Sequence, residues 1–271
     1  NMSLQKRPMG RLLDHFRSVG ANLNYNNILP IVNNGSNRLS SGNFKITDPS
    51  SQIKTSLIFY ALVQSGKSII KYNFKTRDHL EILLKYLKYP ITIKNNIIVI
   101  NGPIRRNKGL EIVVPGDVSS ASFIIASALL LKESNITLKK ILINKYRMGF
   151  IKILIKMGGK IKIINQKKYF GENIADINVK YTNNLSGIHI DKETVISMID
   201  EIPIFSIVAS LANSDSIIED INELRYKESN RIDSILHNLN NMGGSITEKN
   251  NCLYIKGKRR LYNTIIKPFN D

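Results

Sequence analysis

One cysteine, no tryptophan and only 21 acidic residues against 39 Lys plus Arg distinguish this 271-residue sequence. The lone Cys252 excludes an intrachain disulfide framework and a Cys-rich zinc site, and it suits a reducing compartment. The four histidines, at positions 15, 79, 189 and 237, are too scattered for metal-ligand spacing, so no metal site is expected. Long apolar runs are missing too. The longest, Phe123–Leu131, is broken by Ser127 and falls well short of the roughly 18 residues of a membrane span. These residues show no basic-plus-apolar signal segment, and a cytoplasmic protein is expected. The first residue is Asn1 rather than Met, which reads as a piece of a longer reading frame.

The scarcity of acidic residues leaves a formal charge of +18. That balance favours an anionic partner, whether nucleic acid, a membrane surface or a phosphorylated small molecule. Enrichment in Lys, Asn and Ile, as an AT-rich coding sequence produces, gives the same excess with no functional cause. Charge alone therefore decides nothing. Hydrophobic residues at 42% and charged residues at 22% are ordinary globular usage and exclude wholesale disorder.

Three segments, from Phe44 to about Ile100, Ile112 to about Ile164 and Thr194 to about Ile255, share one plan. Each opens with a polar signal before an apolar helix: DPSSQIKTSLIFYAL (48–62), PGDVSSASFIIASALLL (115–131) and MIDEIPIFSIVASL (198–211). A short strand follows (KSIIKYN, NITLKKI, DSIIEDI), then a charged turn and a second amphipathic helix over 76–89, 146–159 and 225–244. Each unit closes in hairpin-like alternation, as in ITIKNNIIVI (91–100) and SITEKNNCLYI (245–255). Pro49-Ser50-Ser51 and Asp117-Val118-Ser119-Ser120 supply N-caps, and Gly158-Gly159 and Gly243-Gly244 supply C-caps. KRPMGRLLDHFRSVGA reads as a second helix without its first. Pro8 lies in its first turn, Leu12, Leu13, Phe16 and Val19 form its apolar face, and Gly20 ends it.

Polar constellations gather at these helix starts, where unpaired N–H groups and the helix dipole favour anions. Arg7 stands beside the first. Ser50, Ser51 and Gln52, with Lys54, form a possible phosphate cradle, and Thr76-Arg77-Asp78-His79 either caps a helix or adds a second rim. Asp200-Glu201 places two carboxylates before Pro203. Lys227 and Arg231, four apart, are expected on one helical face with Glu228 three residues before Arg231. Each cluster also has a purely structural reading, as a solvated cation, an N-cap pair or a surface ion-pair ladder.

Taken in order, RPMGR (7–11), SSQ (50–52), TRDH (76–79), PGDVSSASF (115–123), DEIP (200–203) and LRYKESNR (224–231) resemble the 5-enolpyruvylshikimate-3-phosphate synthase family across essentially the whole chain. The most specific pair is KESNR after DEIP. The resemblance implies an α/β (α+β) architecture, a two-domain inverted α/β barrel-like fold built from βαβαββ units around pseudo-threefold axes. The crossover falls near Val114–Gly116. Residues 1–114 would then hold the end of one unit plus one full unit, and 115–271 two units.

The implied reaction adds phosphoenolpyruvate to the 5-hydroxyl of shikimate 3-phosphate and then eliminates phosphate through a tetrahedral intermediate. No metal, organic cofactor, nucleic acid or membrane takes part, and the full-length protein is expected to be monomeric. By resemblance, Asp200 is the proton acceptor at the 5-hydroxyl, Glu228 exchanges a proton with the methylene carbon, and Lys227 contacts the reacting centre from the shikimate-phosphate side. Ser50, Ser51 and Thr76 bind shikimate 3-phosphate, Gln52 is shared between both substrates, and Arg7 and Arg231 bind phosphoenolpyruvate. Asn230 departs from the Asp of a KESDR-type motif, which bears on how Arg231 is oriented. The family's Lys-Ser segment, Asn-Gly-Thr loop, Asp-His-Arg motif and a late Lys do not occur in these 271 residues, so the chain by itself is expected to lack turnover.

Other readings stay open: a sibling acting on UDP-N-acetylglucosamine, a non-catalytic remnant, or a basic nucleic-acid-binding protein. The sibling normally depends on a mobile-loop cysteine, whereas Cys252 falls in a terminal hairpin. The nucleic-acid reading requires exposed aromatics interleaved with Lys or Arg. Tyr and Phe are instead expected mostly at core positions.

Overall fold

Helix caps and alternating apolar residues build the same small unit repeatedly in the computed structural model, which describes residues 9–26, 29–35, 39–47, 49–104, 109–227, 229–258 and 260–269. The chain divides into two compact units, Asn1–Val113 and Val114–Asp271.

In the first unit, helix α1 (Gly10–Arg17) precedes a small antiparallel pair, β1 (Leu23–Asn24) with β2 (Val32–Asn33). A complete βαβαββ repeat follows: β3 (Asn43–Ile46), α2 (Ser51–Val63), β4 (Gly66–Tyr72), α3 (His79–Tyr86), β5 (Ile91–Lys94) and β6 (Ile97–Gly102). The sheet order is β3-β4-β6-β5, with β3 parallel to β4 and the other pairs antiparallel. Alternation explains the buried face, because Phe44 and Ile46 on β3 and Ile98 and Ile100 on β6 point inward together. Ile53, Leu57, Ile58 and Ala61 of α2 close over them. The α1 face behaves as its spacing requires: Leu13 and Val19 are buried and Leu12 and Phe16 half-buried, with the Phe16 ring centroid 5.6 Å from that of Tyr60. Pro8 lies outside the described residues.

In the second unit, α4 (Val118–Leu130), β7 (Asn135–Leu142), α5 (Gly149–Lys156), β8 (Lys160–Tyr169) and β9 (Glu172–Lys180) form a sheet ordered β7-β9-β8. Its first strand is reduced to one parallel bridge, Gly116 to Ile141. The next repeat comprises β10 (His189–Ile190), α6 (Lys192–Ile196), α7 (Ile202–Ser210), β11 (Ser216–Ile218), α8 (Arg231–Asn241), β12 (Ile246–Lys249) and β13 (Cys252–Ile255), ordered β10-β11-β13-β12. The sheets of the three repeats therefore share one topology, with strands in the order first, second, fourth, third. Ile125, Leu129, Phe150, Leu154, Phe205, Val208 and Leu253 lie in one continuous core.

The repeat extends to single hydrogen bonds. Helices α1, α3, α5 and α8 each end with an N–H reaching back five residues: Ala21 to Phe16 O, Tyr89 to Leu84 O, Gly159 to Leu154 O and Gly244 to Leu239 O, at 2.8–3.1 Å. The residue before each donor is left-handed (Gly20, Lys88, Gly158 and Gly243), as this C-cap demands. Helix α1 thus shares this bond with the second helices of the three repeats, and an antiparallel pair, β1–β2, follows it. Lys88, at φ 58°, adopts without glycine a conformation that costs an L residue about 1 kcal/mol.

Several boundaries differ from the sequence reading. The middle repeat runs to Lys180 rather than Ile164, because β-bulges interrupt its alternation between Leu138 and Ile141 and between Ile164 and Lys167. The last repeat begins at His189 rather than Thr194, since a two-residue strand carries no period. Its first long helix is preceded by a 3₁₀ turn over Ile199–Glu201, and its second starts at Arg231 rather than 225, after another 3₁₀ turn over Asn222–Tyr226. The aromatic expectation holds for Phe44, Tyr60, Phe150 and Phe205, which are buried, and fails for Phe59, Phe123, Tyr86, Tyr226 and Tyr262, which are exposed. Those side chains stand on outer helix faces and in connecting segments.

Asp176 on β9 joins both bulges. Its carboxylate accepts hydrogen bonds from Asn165 Nδ2 (2.9 Å), the Lys140 N–H (2.9 Å) and Lys139 Nζ (3.0 Å), and Lys140 and Asn165 are both left-handed. These bonds, that from Asn165 foremost, pull its pKa from the ordinary 3.8 down to about 2. A depressed folded pKa contributes stability that is present above the unfolded value and lost as pH falls through the folded one. Urea midpoints are accordingly expected to drop between about pH 4 and pH 2, and Asp176→Asn should flatten that drop. An unchanged slope in the variant would remove Asp176 as its source.

Candidate functional site

The residues singled out by sequence fall into two clusters, one in each unit. In the first, Ser50 is the N-cap of α2 and its Oγ accepts the Ile53 N–H at 3.3 Å. Ser51 and Gln52 occupy the first turn, Ser51 half-buried and Gln52 exposed. Thr76, half-buried, lies in the segment leading into α3, with Asp78 at the N-cap position.

Lys54, grouped by sequence with Ser50, Ser51 and Gln52, is buried and turned away from solvent. Its side chain is 1% exposed, and Nζ lies 2.5 Å from Oε1 of Glu81, itself 4% exposed, in the first turn of α3. Nζ also donates to the Arg77 carbonyl at 2.8 Å and stands 5.1 Å from the Tyr72 ring centroid. A buried ammonium survives only when paired and hydrogen-bonded, which is the arrangement here. Lys54 thus ties the start of α2 to the Thr76–Asp78 segment, an arrangement that sequence reasoning missed. Lysine inside an apolar helix, followed by Glu at the corresponding first turn of the next, was the available signal.

The second cluster centres on Asp200 in the 3₁₀ turn before α7. Asp200 Oδ1 accepts from Lys227 Nζ at 3.2 Å and from Arg231 Nη1 at 3.3 Å. The three side chains are 26%, 21% and 16% exposed, so the charges are shielded without being sealed from solvent. Lys227 and Arg231 do not share a helical face. Lys227 is extended, at φ −82° and ψ −159°, and Arg231 opens α8, so they meet at Asp200 by tertiary folding. Glu201, the next residue after Asp200, is buried. Glu228 and Arg7 lie outside the described residues.

Asn230, at the N-cap position of α8, donates through Nδ2 to Asp233 Oδ2 at 2.7 Å. An Asp in its place would set a second carboxylate against Asp233. The two residues are matched, and Arg231 reaches Asp200 with Asn at 230.

The start of α4 carries a third polar group, also missed. Arg147 Nη2 lies 2.7 Å from Asp117 Oδ1 and donates to Ser119 Oγ. Burial pushes the Asp117 carboxyl up, but the Ser120 N–H and the Arg147 guanidinium outweigh it and leave the pKa below the usual value. The signal was positional, as Arg147 precedes the second helix of its repeat just as Arg77 does. Among the described residues no group of three or more His, Cys, Asp or Glu is placed to hold a metal ion, and no helix is long and apolar enough to cross a membrane.

Comparison with known proteins gives a consistent result. The EPSP synthase family (3-phosphoshikimate 1-carboxyvinyltransferase) matches residues 1–271. The chain is 38% identical to the 3-phosphoshikimate 1-carboxyvinyltransferase of Persephonella marina over 99% of its own length and 63% of that protein's. It is 37% identical to the enzyme of that name from Clostridium tetani, covering 61% of it. It therefore spans less than two thirds of these curated relatives. A crystal structure of EPSP synthase from Acinetobacter baumannii superposes with a TM-score of 0.81 at 32% identity, over 96% of this chain and 59% of that one. The enolpyruvyl transferase NikO from Streptomyces tendae, 14% identical with a TM-score of 0.75 over 94% of this chain and 60% of that one, shares the fold. With the whole chain matched and the repeat order in place, the chain belongs to the EPSP synthase (3-phosphoshikimate 1-carboxyvinyltransferase) family.

Proposed function

We propose that the protein carrying this chain transfers the enolpyruvyl group of phosphoenolpyruvate to the 5-hydroxyl of shikimate 3-phosphate and releases phosphate. The two units are read as parts of two domains, with the sugar phosphate held by Ser50, Ser51, Gln52 and Thr76 of the first. The observation that carries the reading is Asp200 held between Lys227 and Arg231.

That carboxylate balances part of the charge of two cations. Substrate phosphate and carboxylate groups compete for the same cations. As they engage Lys227 and Arg231, Asp200 becomes available to accept the proton of the 5-hydroxyl. The hydroxyl oxygen then bonds to C2 of phosphoenolpyruvate while the methylene carbon gains a proton, a step the family resemblance assigns to Glu228. Elimination breaks the C2–O bond to phosphate and returns a proton from the methyl group. Cations around the phosphates stabilise the charge that develops.

Phosphate release by the complete gene product tests this reading. Release that requires both phosphoenolpyruvate and shikimate 3-phosphate is expected, and a folded protein that consumes neither would overturn the assignment. The 271 residues alone are expected to release none, because the family's other phosphoenolpyruvate-contacting segments do not occur in them.

A further inference from the structure

The buried Lys54–Glu81 pair has no part in the steps above, yet it sits directly behind residues assigned to the sugar phosphate. Lys54 lies two positions after Gln52, in the turn of α2 that Ser50 caps. Its ammonium faces three groups, the Glu81 carboxylate, the Arg77 carbonyl and the Tyr72 ring. Two of these belong to the start of α3 and the segment before it. One side chain therefore crosses between the two polar helix starts of this unit from beneath.

Stability alone does not call for such a pair. Removing two charges from water is costly, and apolar side chains of similar volume generally do as well or better. What apolar side chains cannot do is hydrogen-bond the Arg77 carbonyl. That bond fixes the backbone next to Thr76, a residue whose hydroxyl must meet a phosphate within a few tenths of an ångström to be useful.

We propose that Lys54, held by Glu81, is a positioning residue for shikimate 3-phosphate: it locks the Thr76–Arg77 backbone against the start of α2 so that Thr76 and the Ser50–Gln52 turn face one phosphate together. This rests on the functional reading given above and adds the element that presets its sugar-phosphate half. Lys54 itself touches no substrate.

The test is the double variant Lys54→Met/Glu81→Leu in the complete gene product, followed by thermal unfolding and by steady-state kinetics in each substrate. The variant is expected to melt within a few degrees of the unmodified protein. Its KM for shikimate 3-phosphate should rise about tenfold, while kcat and the KM for phosphoenolpyruvate stay within about twofold. A folded variant with both KM values unchanged would overturn the proposal. A loss of kcat with both KM values moved together would also overturn it, since that marks general disturbance. If the Met/Leu pair does not fold, Lys54→Gln/Glu81→Gln poses the same question, because the two amide side chains can bond each other while the shorter glutamine replacing Lys54 does not reach the Arg77 carbonyl. An unmodified enzyme that turns over but never saturates with shikimate 3-phosphate would sink the functional reading and the positioning role with it, whereas normal saturation with an unchanged double variant sinks the positioning role alone.

Discussion

Asp200→Ala should abolish most turnover of the complete gene product while strengthening its inhibition by simple anions. The two effects have opposite signs and a single cause. Asp200 Oδ1 is shared by Lys227 Nζ and Arg231 Nη1 at 3.2 and 3.3 Å. On the proposed reading that carboxylate accepts the hydroxyl proton, and loss of a positioned general base lowers kcat roughly 10²–10⁴-fold. The two cations meanwhile lose a shared counter-charge in a partly shielded site, where an anion is attracted more strongly than in bulk water. Inorganic phosphate should therefore inhibit the variant at lower concentration than the unmodified enzyme. Asp200→Asn should show the same pair of effects with less disturbance of packing. Turnover within tenfold of the unmodified enzyme would remove Asp200 from the chemistry. Weaker phosphate inhibition would mean that the cations are neutralised by other groups.

A large loss of stability is expected from Gly257→Ala. A Cβ on Gly257 would collide with the Ser214 carbonyl oxygen and lie 2.6 Å from that of Ala212, both backbone atoms with nowhere to retreat. The next residue, Lys258, donates its N–H to the same Ala212 oxygen, so the segment after β13 is bound closely beneath the end of α7. The first unit repeats this device: Gly102 closes β6 with its hypothetical Cβ against Gln64 O and 2.6 Å from Ala61 O, and the Ile104 N–H donates to Leu62 O. Forced backbone separation at such a site costs on the order of 3 kcal/mol or more, above an ordinary overpacked core. Gly109→Ala, with nothing within 4 Å of its Cβ, is the matched control and should change stability by less than about 0.5 kcal/mol. Urea unfolding of the chain measures both. A Gly257→Ala midpoint equal to that of the control would show that the backbone yields there.

Much of this architecture is legible residue by residue. Ser50 and Asp117 announce helix starts and do cap them, accepting N–H groups three residues on. Gly158-Gly159 and Gly243-Gly244 announce helix ends and form the five-residue back-bond. The same spacing at Leu84 and Tyr89 is hidden, because Lys88 stands where the signal residue is glycine. The strand β10 is too short to show a period, and the bulges that Asp176 stabilises interrupt the alternation of β8 between Ile164 and Lys167.

The site was less legible than the fold. Lys227 and Arg231, read as neighbours on one helix, stand on different backbone elements and converge on a carboxylate 27 and 31 residues away. Lys54, read with Ser50, Ser51 and Gln52 as part of a phosphate cradle, points inward to Glu81.

By itself the sequence determined the repeat and its caps, because these depend on local conformational preference and on the period of apolar residues along the chain. Only the tertiary structure decided which charges meet. Asp200 lies between two cations and Lys54 lies against Glu81 because shielding from water strengthens the attraction between charges, so partners distant in sequence are drawn together once folding brings them near.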